Sequence, residues 1–195
     1  MNSKKVLLCF TLITLNLLIT VNSSIWDKFF KFQTCPPRPQ LFTQLELKPF
    51  MGRWWSQLAI PNLFEQGKCG STNYFYDDKN TTVYNQDREL SGVNWIYSPV
   101  NSVTVDQPGV VSLHMYFIRS DLYVLDTDYT NYAIVYSCRS LFITKPFKLA
   151  WVLTRKPVIS EEERDSLYKK AEALFQPIEV KLSDMKTIVQ DCDDN

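Results

Sequence analysis

The feature that most constrains this chain is a run of eight short apolar segments between Gly52 and Arg155, each closed by turn residues. They span residues 54–60, 71–76, 82–88, 93–97, 110–117, 122–126, 131–137 and 147–154, and are rich in Val, Ile, Tyr, Phe and Trp. Such residues pack well on a pleated surface, and segments of five to eight residues suit strands better than helices. Val93, Trp95 and Tyr97 alternate onto one face, as do Val111, Leu113, Met115 and Phe117. Eight consecutive strands with short connections predict an all-β, up-and-down antiparallel barrel, because closure removes the exposed strand edges.

One helix is predicted, after the strands. Ser160 with Glu163 three residues on makes a capping box, and Glu161–Glu163 suit the positive end of the helix dipole. Leu167, Ala171, Leu174 and Phe175 share a face, and Pro177 stops the run. A stripe of this kind packs against the outside of a sheet.

The N-terminus reads as an export signal. Lys4 and Lys5 precede an uncharged apolar run, Val6–Ile19, and Val21-Asn22-Ser23 offers small residues for cleavage. Fourteen residues are too few to span a bilayer comfortably, so stable membrane insertion is not expected. The expected organisation is a signal peptide over 1–23, an aromatic, proline-broken arm over 24–40 and one domain over 41–195. Removing the leader leaves 19 basic residues against 21 acidic ones, a balance that disfavours nucleic-acid binding.

Of five cysteines, Cys9 leaves with the leader. Cys35, Cys69, Cys138 and Cys192 remain in a chain bound for an oxidising compartment, which predicts two disulfides in any of three pairings. No C-x₂₋₄-C spacing and a single histidine argue against zinc, and no other metal or cofactor is expected. Asn80-Thr81-Thr82 is a glycosylation acceptor, with Asn80 as the expected site.

Three motifs give the barrel an identity. Gly52-Arg53-Trp54 opens the first strand, Thr127-Asp128-Tyr129 lies in the turn between the sixth and seventh, and Arg155 follows Ala150-Trp151-Val152-Leu153-Thr154. In order and separation they resemble the signature motifs of the lipocalin family. The resemblance extends over Ile60-Pro61, Phe64-Glu65, Cys69, Asn73-Tyr74, Asn85-Gln86 and the stretch from Asn131 to Cys138. It is strongest to the apolipoprotein D-like branch, with insect bilin-binding and Lazarillo-type lipocalins sharing much of it, and it covers Cys35 to Cys192.

The resemblance implies several things. Cys35 pairs with Cys138, and Cys69 with Cys192; each bridge closes a loop of roughly 100 residues, worth about 4–5 kcal/mol in the chain-entropy model. Trp54 lies beneath Arg155 at the closed end, with Thr127, Asp128 and Tyr129 beside them. Phe50 near the mouth, Tyr74, Asn85, Met115, Leu122 and Trp151 line a pocket for a small hydrophobic ligand: a lipid, steroid, fatty acid, or a pigment such as a bilin or carotenoid. Asn85 orients the ligand's polar group. Phe50 and Trp55 stand where tyrosines are usual, which makes the site more apolar.

No catalytic residue is expected. His114 alternates with Leu113 and Met115, so it falls on the outer face, away from any Ser-His or Cys-His pair. Two other functions compete with a secreted carrier. A prostaglandin-type isomerase would need Cys69 as a free thiolate. A protein acting through its surface would use an apolar patch such as Phe142, Ile143 and Phe147, expected near the closed end.

Overall fold

A computed structural model describes residues 34–42, 45–62, 65–77, 79, 82–115, 118–140 and 145–192, with Met115 and Ile118 described as backbone only. The leader, the aromatic part of the arm, Asn80, Phe142, Ile143 and the Met115 side chain therefore lie outside the described residues. Chain contacts divide the protein into two units. The smaller, Met1–Cys35 with Arg139–Phe147, includes a bond from the Cys35 amide to Ser140 Oγ (3.0 Å). The larger, Pro36–Cys138 with Lys148–Asn195, carries the elements below.

A one-turn helix, α1 (Leu47–Phe50), leads into β1 (Gly52–Ala59), followed by β2 (Lys68–Tyr76), β3 (Val83–Ser91), β4 (Asn94–Tyr97), β5 (Asn101–Gln107), β6 (Val110–Met115), β7 (Ile118–Thr127), β8 (Tyr132–Arg139) and β9 (Phe147–Thr154). The helix α2 (Glu161–Phe175) and a two-residue strand, β10 (Lys186–Thr187), complete the chain. Neighbours pair in the order β1-β2-β3-β5-β6-β7-β8-β9, and β9 pairs back onto β1. This is a closed antiparallel barrel of eight strands, with β4 and β10 as additions.

The eight wall strands differ from those expected in one place. The segment ending at Tyr97 is β4, which pairs only with β3, and the fourth wall strand is Asn101–Gln107. Val93 is 90% exposed and Tyr97 54%, so their alternation does not mark a buried face. The reason is Pro99. β4 and β5 both run along β3, but proline has no N–H for the ladder, and the chain breaks there. Ser98 bridges the gap: its amide donates to the Asp87 carbonyl (2.9 Å), and its hydroxyl accepts from the Asp87 amide (2.9 Å). Asn101–Gln107 escapes a hydropathy reading because Asn101, Ser102, Thr104, Asp106 and Gln107 are polar, leaving Val103 and Val105 as its apolar residues.

Strand alternation sorts the apolar side chains into two layers. Ala133, Val135, Val124, Val111, Val103 and Leu153 point into the barrel. Ile134, Tyr136, Leu125, Ala150, Val152 and Leu58 point out, under α2. β8 is buried on both faces, which is why Tyr132–Tyr136 reads as a continuous apolar run. The helix begins at the expected capping box, with Glu163 N bonded to Ser160 Oγ (3.2 Å) and Ser160 N to Glu163 Oε2 (2.8 Å). Leu167, Ala171 and Phe175 are its buried face, and Leu174 packs at the margin.

Candidate functional site: the barrel interior

Gly52, Trp54 and Arg155 meet at one end of the barrel. Gly52 takes φ of 93°, open to glycine and strained for other residues, and Arg155 Nη1 lies 3.3 Å from where a Cβ would stand. That turn swings α1 across the barrel end and lets the Trp54 indole N–H donate to the Phe50 carbonyl (3.0 Å). The Arg155 guanidinium lies 3.6 Å from the centre of the Trp54 ring. It donates to three carbonyls from three segments: Pro49 in α1 (3.0 Å), Arg53 in β1 (3.0 Å) and Tyr129 in the β7–β8 turn (2.9 Å).

The turn is built to present that third carbonyl. Tyr129 adopts φ of 66°, and its amide donates to Thr127 Oγ1 (3.0 Å). Asp128 Oδ1 accepts from the amides of Thr130, Asn131 and Tyr132 (3.1, 2.8 and 3.0 Å), and such bonds hold its carboxyl below the usual range. Burial lowers the Arg155 pKa, but a guanidinium starts high enough to stay charged.

Above this floor, the expected pocket residues gather, with one correction. Phe50 is not at the mouth. It packs on Trp54 (5.1 Å between ring centroids) and edge-on to Tyr74 (5.2 Å), so it belongs to the closed end. Sequence position gave no hint of this, because α1 folds the chain back under the barrel. Tyr74 and Asn85 are cross-strand neighbours on β2 and β3. Asn85 is 1% exposed, donates to Thr72 Oγ1 and accepts from Asn101 Nδ2 (3.5 Å), so the protein itself engages both ends of its amide. Leu122 and Trp151 pack onto the same inner cluster. Met115 ends β6, and only its backbone is described.

The interior changes character along its length. At the Arg155 end, Phe50, Trp54, Tyr74, Val111, Val124 and Ala133 are all fully buried. Leu122, the cross-strand partner of Val111, and Leu113 and Trp151 point inward yet keep accessible surface. Side chains in a packed core would have none, so open space adjoins them.

Sequence reasoning missed a group of acids. Inward alternation along β3 carries on from Val83 and Asn85 to Asp87 and Glu89. The loop after β1 brings Glu65 to Trp151 of β9, where its Oε2 accepts from the Trp151 indole N–H (2.8 Å) and from Asn62 Nδ2 (2.8 Å). Burial above all, and then the Asp87 and Glu89 charges, raises the Glu65 pKa. Burial likewise raises that of Asp87, against hydrogen bonds from Thr72 and Asn85. The signal was present in β3, where alternation from Val83 and Asn85 sets Asp87 and Glu89 on the same face.

A pH-dependent prediction follows for Asp87. A raised carboxyl favours the protonated folded state. Its contribution is complete below the unfolded pKa of about 4 and is lost as pH rises through the higher folded value. Asp87→Asn is therefore expected to raise stability at neutral pH by on the order of 1 kcal/mol, or roughly 3 °C in Tm. That advantage shrinks as pH falls toward about 4. Thermal melts of both proteins across pH would check it; a gap that stays constant with pH contradicts the assignment.

His114 sits on the outer face, its Nε2 3.0 Å from Thr104 Oγ1. Cys69 is bonded to Cys192, with their Cα atoms 6.2 Å apart. Cys35 and Cys138, which the resemblance pairs, are also in the disulfide state. Phe147 is 41% exposed at the start of β9.

Comparison with known proteins agrees with the geometry. Residues 51–190 match the model of the lipocalin / cytosolic fatty-acid binding protein family. Apolipoprotein D of Macaca fascicularis is 32% identical over 138 residues, covering 69% of this chain and 71% of its own. The structure of insecticyanin from the tobacco hornworm Manduca sexta superposes with a TM-score of 0.67 at 23% identity, covering 83% of this chain and 87% of that one. Lobster apocrustacyanin A1 gives 0.63 at 18%, with 82% and 92% covered. A closed eight-stranded barrel sealed by an arginine over a tryptophan, matched by the family model over most of its length, places this chain in the lipocalin family.

Proposed function

We propose that this protein is a secreted carrier that holds one small hydrophobic ligand inside the barrel and performs no chemistry on it. The observation that carries the reading is the contrast along the interior: a solid floor at Trp54 and Arg155, and accessible apolar surface at Leu113, Leu122 and Trp151 beyond it. An eight-stranded barrel has room for one small ligand when its inward side chains leave space. Leu122, Trp151 and Met115 are assigned to the ligand's flank, Tyr74 and Asn85 to its deep end, and Phe50 to the floor beneath.

Secretion is supported by the apolar leader and by the Cys69–Cys192 bond, which belongs to an oxidising compartment. Among the described residues no helix is long and apolar enough to cross a membrane. Residues 1–23 are proposed as the removed leader, and Asn80 as a glycan site. The isomerase alternative needs a thiolate that Cys69, being oxidised, does not offer. One observation favours a surface role besides carriage: the β3–β4 hairpin holds Val93, Ile96 and Tyr97 at least half exposed.

The test is fluorescence titration with the apolar probe N-phenyl-1-naphthylamine. Saturable one-to-one binding is expected, with affinity falling about tenfold in Leu122→Trp, which fills interior space. Absence of saturable binding by the native protein would falsify the carrier reading and favour the surface one.

A further inference from the structure

The inner wall is apolar along β6, β7 and β8, but acidic where β3 faces the loop after β1. Glu65 uses one carboxylate oxygen for both of its donors, Trp151 and Asn62; its Oε1 accepts no hydrogen bond among the described residues. Glu65 and Glu89 line one small void, where Glu89 Oε2 accepts the Gly67 amide (2.9 Å). Asp87 lies on the same face of β3, near Thr72, Asn85 and the Tyr74 hydroxyl.

Among the described residues no cation pairs with these three acids. Arg88 turns outward and stacks on Trp95, 4.3 Å from the ring centre. Lys68 is bonded to Asp191 (2.8 Å), and Lys186 donates to the Gln66 carbonyl (3.3 Å). Glu65 is bonded to the indole of Trp151, which with Leu122 packs onto the inner cluster, and Glu65, Asp87, Leu122 and Trp151 all keep some accessible surface. An interior rich in acceptors, short of donors and without a counter-charge is complementary to a guest that brings donors. A carboxylate entering there would meet like charge at low dielectric.

The geometry points to a ligand that is apolar along its length and carries N–H donors or a cationic nitrogen at its polar end, with Glu65 as the residue that selects it over a carboxylate-ended lipid. This rests on the carrier reading. Glu65 is the selecting group because one of its oxygens is uncommitted while the other is bonded to the inward Trp151, and Asp87 and Glu89 add field and acceptors.

Competition against N-phenyl-1-naphthylamine at neutral pH, on the disulfide-intact protein, separates the possibilities. Hexadecylamine and palmitic acid share a chain length and differ in the head group. The amine is expected to displace the probe at about a tenfold lower concentration than the acid. In Glu65→Gln, whose amide oxygen still accepts from Trp151, that ratio is expected to fall about fivefold. Asp87→Asn serves as a second variant and should lower the ratio in the same direction. Equal or tighter binding of the acid, or a ratio unchanged in both variants, overturns the inference while leaving the carrier intact. Failure of the probe itself to bind overturns the carrier reading and this inference with it.

Discussion

Replacing Cys69 and Cys192 together by alanine is expected to lower stability by about 3 kcal/mol, or roughly 10 °C in Tm. The bond closes a loop with a sequence separation of 123 residues, so its loss frees a large part of the unfolded chain. It also loosens a strap. From Lys186 to Cys192 the chain lies along the barrel where β2 bulges away from β1: β10 pairs with Leu58 and Ala59, the Ile188 amide donates to the Gln57 carbonyl (3.0 Å), and the Cys69 amide to the Val189 carbonyl (2.8 Å). Gln190 Nε2 bonds the carbonyls of Ser56 (2.8 Å) and Gly70 (3.0 Å). The strap thus replaces wall pairing that β2 gives up, and Ile188 borders the void beside Glu65. Calorimetry of the double variant without reductant checks the loss. An unchanged melting temperature would mean that the strap's backbone bonds suffice and the bond adds nothing.

Arg155→Ala should cost a comparable amount, about 3 kcal/mol, because it leaves three carbonyls and the Trp54 face without their partner at once. Arg155→Lys should recover only part of this, since an ammonium cannot reach three carbonyls from separate directions in one plane. Both variants should still bind the naphthylamine probe when folded, because the site proper begins above the floor. Denaturant unfolding read by tryptophan fluorescence measures the change. Native-like stability in the alanine variant would show that the packing of Phe50, Trp54 and Tyr74 closes the barrel without the arginine.

The two predictions rest on features of different legibility. Gly52, Trp54 and Arg155 were readable because they match the spaced signature motifs that the chain shares with the lipocalins. The capping box of α2 was readable on its own, since Ser160 and Glu163 act within one turn. The fourth wall strand was not. Asn101–Gln107 is mostly polar, and the more aromatic segment over 93–97 drew the assignment, although Val93, Ile96 and Tyr97 are exposed. Only pairing with β3 separates a wall strand from a hairpin flap, and pairing is a property of two segments.

The amino-acid sequence by itself pointed to the barrel architecture, because strand alternation and turn residues act through local geometry. The seal was legible only through the family resemblance, since the carbonyls that Arg155 bonds lie 26 to 106 residues away. The tertiary structure decided what the interior is like. It set Phe50 against Trp54 at the closed end, engaged the Asn85 amide with Thr72 and Asn101, and brought Glu65 and Glu89 to one small void. Those outcomes depend on which walls face one another across a closed barrel. A carboxylate's environment is fixed by neighbours distant in the chain, and for Glu65 the decisive one, Trp151, is 86 residues away.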